Sequence, residues 1–396
     1  MGADRAVFRF FTAGESHGQG LVAWISGLPA GIPVDLAFIN RELRRRQAGY
    51  GRGGRMKIES DQAEILSGVR RSHTTGAPVA MLIVNKDWEN WKEALPVEEQ
   101  ENTAEKYRDL NPPRPGHADL AGCLKYNLHE ARYVLERASA RESAARVSAG
   151  ALAKLLLAQF GIEVWSHVLA VGDVHARTQP SWKQIQTLGA QDEILFRCAD
   201  AEAEQRMKAA VDEVLRTGDS LGGIFEVVAH GAPAGLGTHA NWDERLDGLL
   251  AQAVMSLQAV KAVEIGTGIE SAVSLGSTVH DPIGYNASER QFTRPANHAG
   301  GLEGGISNGE EIVVRGYLKP ISTLRRPLQS VHMETKETVK AAYERSDVCV
   351  VPAAGVAAEA MVALTLARCF LEKFGGDSLV ETRRNFEGYQ AQLRAF

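Results

Sequence analysis

The stretch SARESAARVSAGALAKLLLAQFG, Ser139–Gly161, runs straight into IEVWSHVLAVG, Ile162–Gly172. The first part is rich in alanine and leucine, which lose little freedom on entering a helix. Gly161 suits the left-handed residue that ends one. The second part is β-branched and aromatic and reads as a strand. The same switch recurs in AEAEQRMKAAVDEVLRTGDSLGG (Ala201–Gly223), a helix and turn, followed by the strand IFEVVAHG (Ile224–Gly231). VDLAFINRELRRRQAG (Val34–Gly49) predicts a helix opened near Asp35 and closed around Gly49. MKIESDQAEILSGV (Met56–Val69) and PVAMLIVN (Pro78–Asn85) predict strands, the second apolar enough to be covered on both faces. VAAEAMVALTLARCFLEKFGG (Val356–Gly376) is a strongly apolar helix closed by a glycine pair. The chain therefore mixes α and β elements, and this pattern leaves the sheet topology open.

The 396 residues are 44% hydrophobic and 23% charged, ordinary for a globular protein and enough for a sizeable core. No low-complexity tract, linker or short repeat divides them, so one domain over residues 1–396 is the expectation. A net charge of -5 does not favour nucleic acid or an anionic membrane, so any anion must be held by local arginines. Cys123, Cys198, Cys349 and Cys369 are far apart and show no C-x-x-C spacing. That speaks against a disulfide framework or a zinc site and for reduced thiols in a cytosol. The chain starts without an apolar run of signal-peptide length, and no run of 18 apolar residues occurs in it. The expectation is a soluble cytoplasmic protein without a metal, a nucleic-acid partner or a membrane partner.

Seven segments carry candidate chemistry. FFTAGESHGQG (Phe10–Gly20) sets Glu15, Ser16 and His17 on a glycine-rich turn. RRRQAGYGRGGR (Arg44–Arg55) brings Arg46, Arg52 and Arg55 to a helix end and a loop where guanidinium forks suit phosphate and carboxylate. The same arginines also fit a solvated helix terminus that complements its dipole. NPPRPGHADLAG (Asn111–Gly122) stiffens a loop around Arg114 and His117, which suits either a site or a structural turn. LERASARES (Leu135–Ser143) holds Arg137, Ser139 and Arg141 near a helix start, as anion ligands or as a simple Ser139 cap. GGLEGGISNG (Gly300–Gly309), LKPISTLRRP (Leu318–Pro327) and YERSDVCVVPAAG (Tyr343–Gly355) match neither a Walker loop nor a dinucleotide fingerprint. Their glycines equally serve hairpin turns, and Arg345 and Asp347 equally form a surface ion pair. Taken together, the segments suggest a pocket for a polyanionic small molecule.

TAGESHG, RRRQAGYGRGGRM, RPGHAD, LERASARE, GGLEGG, KPIST and RSDVC-VPAAG stand in the order expected of the chorismate synthase family. The resemblance runs from about Phe10 to about Glu381. It implies an α+β fold, a single-domain β-α-β sandwich with helices between antiparallel sheets, assembled as a homotetramer. It also implies a 1,4-anti-elimination of phosphate from 5-enolpyruvylshikimate 3-phosphate, giving chorismate with reduced FMN as cofactor. Under that resemblance His17, with Ser16 beside it, protonates the departing phosphate, His117 faces flavin N1, and Asp347 assists removal of the C6 proton. Arg46, Arg52, Arg55, Arg114, Ser139, Ala140, Arg141 and Arg345 correspond to substrate contacts. Arg137, Ala138, Ser139, Gln258, Ala259, Gly304, Lys319, Pro320, Ile321, Ser322, Thr323 and Arg345 correspond to FMN contacts. An RGG-type nucleic-acid module would need a basic footprint and would leave GESHG and RPGHAD unused. A flavin oxidoreductase with another substrate would consume NADPH during turnover.

Overall fold

The computed structural model describes residues 8–52, 60–99, 110–191, 194–344 and 347–396. One antiparallel sheet contains β1 (Arg9–Gly14), β2 (Gly20–Ser26), β3 (Ala63–Ser67) and β4 (Val79–Val84), in the order β1-β2-β4-β3. A second contains β5 (Glu163–Val171), β6 (Val174–His175), β7 (Gly223–His230), β8 (Val260–Ile265) and β9 (Ile312–Leu318), in the order β8-β9-β7-β5-β6. The ladders within both sheets are antiparallel. The longer helices are α1 (Leu36–Gln47), α2 (Asp119–Tyr126), α3 (Ala131–Ala138), α4 (Ser143–Ala158), α5 (Trp182–Ala190), α6 (Ala201–Thr217), α7 (Leu246–Met255) and α8 (Val351–Phe374). A last helix, Leu379–Ala395, closes the chain.

Helices fill the space between the sheets. α4 lies against β2 and α1, while α8 packs on α4 and reaches β5 and β7. The approach of α4 to α8 is close: a Cβ on Gly150 would stand 2.3 Å from that of Ala360. α8 is apolar and buried along most of its length, so its apolar surface is spent on the core. The expected helix and strand around Gly161 are present as α4 and β5, and Gly161 has φ +75°. Residues 53–59 lie outside the described set; of the expected strand Met56–Val69 the structure shows β3, which ends just before Gly68, φ +79°, ahead of a separate short strand at Val69–Arg70. β4 corrects one expectation. Val79, Met81 and Ile83 are buried, but Val84 is 53% exposed, because helices cover only one face of this sheet. All four cysteines are buried and unpaired.

Charge also enters this core. Arg45 donates to Glu42 at 2.9 Å and to Glu359 at 2.7 and 2.8 Å. Lys154 donates to Glu42 at 2.6 Å and to Glu359, and Ser166 donates to Glu359 through its N–H at 2.8 Å and its hydroxyl at 2.6 Å. The network ties α1, α4, α8 and β5 together. Burial alone would raise the Glu359 carboxyl, but Arg45 and Lys154 outweigh it and hold the group well below the usual carboxylate range. Losing one partner strands the others in a dry interior. Glu359→Ala is therefore expected to cost roughly 3–5 kcal/mol, read as a fall in the urea midpoint. Because the folded carboxyl is depressed, its stabilisation is present above the ordinary value of 4.5 and is lost as pH falls below it. Glu359→Gln should accordingly flatten the acid side of the stability profile, and an unchanged slope would contradict this.

Candidate active site

A cavity of about 1540 Å³ opens where the β1–β2 loop, the end of α1, the α3–α4 junction, the loops around residues 112–118 and 319–323, residues 342–344 and Asp347 converge. A single ligand site usually measures about 300–1,000 Å³, so this one has room for two stacked small molecules.

The β1–β2 loop is built rigidly. Gly14 has φ +98°, and a Cβ there would meet the Gly20 carbonyl oxygen at 2.2 Å, so the turn requires glycine. The Asn85 side-chain amide donates to the carbonyls of Glu15, Ser16 and Gly18 at 3.1, 3.2 and 2.6 Å. Ser16 N–H donates to the Glu136 carbonyl at 2.9 Å, and His17 N–H donates to the Glu136 carboxylate at 2.7 Å. His17 Nδ1 lies 2.9 and 3.1 Å from the two oxygens of that carboxylate. A carboxylate only accepts, so Nδ1 carries the proton and Nε2 is the nitrogen that exchanges one. The ring also lies on Trp91, centroids 4.0 Å apart and planes tilted by 32°. Partial desolvation, and then the Glu136 charge, raise the carboxyl of Glu15 beside it.

The arginine triplet divides by direction, since successive helical residues turn by about 100°. Arg44 is exposed, Arg45 enters the core network, and Arg46 lines the cavity. Arg46 donates to Ser143 Oγ at 2.8 Å and to the Ala140 carbonyl at 3.0 Å, and it lies 3.6 Å from Asp61. Arg141 grips both oxygens of Asp61 at 2.6 Å and donates to Asn85 Oδ1 at 2.8 Å. Ser139 ends α3, accepts from Arg141 N–H at 3.3 Å and donates to Ser16 Oγ at 3.2 Å. Its capping role and its place on the cavity wall coexist.

The proline-stiffened loop forms the opposite wall. Arg114 donates to Asp119 from Nε at 2.8 Å and to Thr323 Oγ1 at 3.0 Å, and His117 Nδ1 lies 2.5 Å from Asp119. Burial would raise the Asp119 carboxyl, but the bonds from His117 and Arg114 outweigh it and hold the group well below its usual range. Lys319 donates to the Gly116 carbonyl and so joins this loop to the 319–323 loop; burial, then Lys261, lowers its ammonium. Ala259, at φ +68°, accepts from Lys319 N–H at 3.0 Å. Glu142 accepts from Gln258 at 3.2 Å. Arg52 pairs with Asp347 at 3.1 Å.

Ser16, His17, Arg46, Arg52, Arg114, His117, Ala138, Ser139, Ala140, Arg141, Gln258, Ala259, Lys319, Pro320, Ile321, Ser322, Thr323 and Asp347 thus share one cavity. Two candidates stand apart from it. Arg137 turns away and donates to the Thr12 carbonyl at 2.9 Å and hydroxyl at 2.8 Å. Gly304, at φ +59°, sits with Gly305 at the tip of the hairpin that pairs Leu302–Glu303 with Ile306–Ser307. There it serves the turn that the sequence left open. Arg55 and Arg345 lie outside the described residues. Sequence reasoning missed Asp61, Asn85, Trp91, Asp119, Arg132 and Glu136. Asp119 and Glu136 stand inside RPGHAD and LERASARE, whereas Asp61, Asn85 and Trp91 carry no local signal.

Two antiparallel sheets filled with helices carry a cavity lined by arginines and two imidazoles, an arrangement with the chemistry of an enzyme active site. The model of the family described as "Chorismate synthase" matches residues 8–371. A chorismate synthase of Acidobacterium capsulatum is 65% identical over 395 residues, covering 98% of this chain and all of that one. One of Koribacter versatilis is 64% identical with the same coverage. A solved structure titled "Crystal Structure of Chorismate Synthase" superposes with a TM-score of 0.79 at 40% identity, covering 98% of this chain and 99% of that one. The chain belongs to the chorismate synthase family and is an enzyme of the carbon–oxygen lyase type. Membership implies a flavin cofactor. The wall fits one: Lys319, Ser322, Thr323, Gln258 and the Ala259 backbone offer polar groups along one side of a space larger than a single ligand fills.

The Asp119 pairing yields a test. Asp119→Ala leaves Arg114 and His117 in the wall without a carboxylate and is expected to cost roughly 3 kcal/mol or more in unfolding free energy. A urea midpoint equal to that of the parent protein would show that the pairing is dispensable.

Proposed function

We propose that this chain converts 5-enolpyruvylshikimate 3-phosphate to chorismate by 1,4-anti-elimination, the last step of the shikimate pathway, with reduced FMN as its flavin. The observation that carries the reading is the convergence of Arg46, Arg52, Arg114 and Arg141 with His17, His117 and Asp347 on one cavity. The substrate bears two carboxylates and a phosphate, and planar guanidinium groups hold such anions in fixed directions. When bound, reduced FMN lends electron density to the reacting system and takes it back without net redox change.

The residues of the chain supply orientation and protons. His17, its Nδ1–H held by Glu136, delivers a proton from Nε2 to the departing phosphate, which improves the leaving group. Asp347 assists removal of the C6 proton, and His117 on the opposite wall would help to hold the flavin. Ser16, Ser139 and Ala140 line the region between the two ligands, with Arg55 and Arg345 as further anion contacts. Ala138, Ser139, Gln258, Ala259, the run Lys319–Thr323 and Arg345 would hold FMN. Arg137 and Gly304, FMN contacts under the resemblance, stand off this cavity: Arg137 donates to Thr12 in β1, and Gly304 sits at a hairpin tip. The same reading makes the chain one domain and the protein a soluble, cytoplasmic homotetramer. It has no metal, nucleic-acid or membrane partner.

Anaerobic turnover with dithionite-reduced FMN tests the reading. Chorismate should appear with no net NADPH oxidation, and stoichiometric NADPH consumption would indicate an oxidoreductase instead. His17→Ala should lose about 10²-fold or more in kcat while keeping its FMN affinity. Full activity in that variant would overturn the proton-donor role. Arg46→Ala should weaken substrate binding by about 1.5–3 kcal/mol, the worth of a charge-assisted contact. Unchanged substrate affinity would remove Arg46 from the site.

A further inference from the structure

We propose that Glu136 is the positioning residue of His17: it fixes both the backbone and the tautomer of that histidine, so that Nε2 is the nitrogen presented for proton transfer. The inference rests on the reading of His17 as proton donor. One carboxylate, itself 2% exposed, takes the His17 N–H at 2.7 Å and the ring Nδ1 at 2.9 and 3.1 Å, while the Glu136 carbonyl takes the Ser16 N–H at 2.9 Å. Thus α3 reads the loop at three points within two residues. Trp91 lies against the face of the ring, and Asn85 holds the carbonyls on either side of His17. Rotation about the side-chain bonds is blocked from the edge and from the face. Arg132 approaches the same carboxylate at 3.6 Å and donates to Glu344 at 2.6 Å, which places a cation behind the acceptor.

The chemistry follows from counting donors. His17 presents two N–H groups to Glu136, and only an acceptor with two oxygens satisfies both. In Glu136→Gln one oxygen becomes an NH₂ group. The backbone N–H cannot change, so it keeps the remaining oxygen, and the NH₂ turns to Nδ1, which must then accept. The proton moves to Nε2, and the neutral ring takes the opposite tautomer. After donating its proton from Nε2, the parent histidine relaxes to the Nδ1–H form that Glu136 stabilises, whereas the variant has no such partner.

The experiment combines ¹⁵N-histidine NMR of the full chain with anaerobic kinetics. The parent protein should show neutral His17 as the Nδ1–H tautomer and Glu136→Gln should show Nε2–H. In Glu136→Gln, kcat should fall about 10²-fold, the worth of one oriented proton-transfer group, while KM and FMN affinity stay within about threefold. Adding Glu136→Gln to His17→Ala should then cost nothing more, because the carboxylate acts only through the ring. A parent His17 in the Nε2–H form would overturn the proposal, even if the variant failed to fold. So would a loss in Glu136→Gln that multiplies on top of His17→Ala. An inactive His17→Ala beside a fully active Glu136→Gln would sink this inference alone. A fully active His17→Ala would sink the parent reading.

Discussion

A cation taken out of water has to be paired, and that constraint organises this protein from its core to its cavity. In the core, Arg45 and Lys154 are held by Glu42 and Glu359. At the cavity wall the same solution repeats. Asp61 stands between Arg141 and Arg46, Asp119 between Arg114 and His117, Glu136 between Arg132 and His17, and Asp347 against Arg52. Each carboxylate neutralises cations and also fixes their direction. The two settings are linked through α1, where the turn that buries Arg45 aims Arg46 at the site one residue later.

This arrangement explains how a protein of net charge -5 can present a cationic pocket. The acidic partners are largely buried, so the wall toward the ligand is richer in donors than the whole-molecule charge suggests. A ligand with several anionic groups meets donors whose orientation is already set, and little ordering is left to be done on binding. His17 keeps Nδ1 against the Glu136 carboxylate, which leaves Nε2 as its exchanging nitrogen, while His117 is held between Asp119 and Arg114. The site is thereby prepared for proton transfer before any ligand arrives.

Much of the scaffold was legible in the sequence because it obeys local rules. Asp35 caps α1, Gly161 takes the left-handed conformation, and α4, β5, α6, β7 and α8 fall where composition changes. Coverage of β4 was misjudged, because a run of apolar residues does not say whether a second layer lies beyond it. The two-sheet architecture came from the resemblance and not from periodicity, since pairing partners such as β7 and β9 are remote in sequence. At the site, the glycine- and proline-framed motifs pointed to His17, His117 and the arginines. The carboxylates behind them were harder to see. Asp61 and Asn85 gain their meaning only when β3 and β4 fold beside the β1–β2 loop, and Trp91 only when its ring reaches His17.

The central claim is that one preorganised cavity holds the flavin and the polyanion against each other. A crystal structure of the complex with oxidised FMN and the phosphorylated substrate, which cannot turn over, tests it most directly. The account predicts the flavin along Lys319–Thr323 and His117, with the substrate between it and Arg46 and Arg141. The substrate phosphate should lie about 3 Å from His17 Nε2. A flavin bound outside this cavity, or a phosphate on the side of the flavin remote from His17, would contradict it.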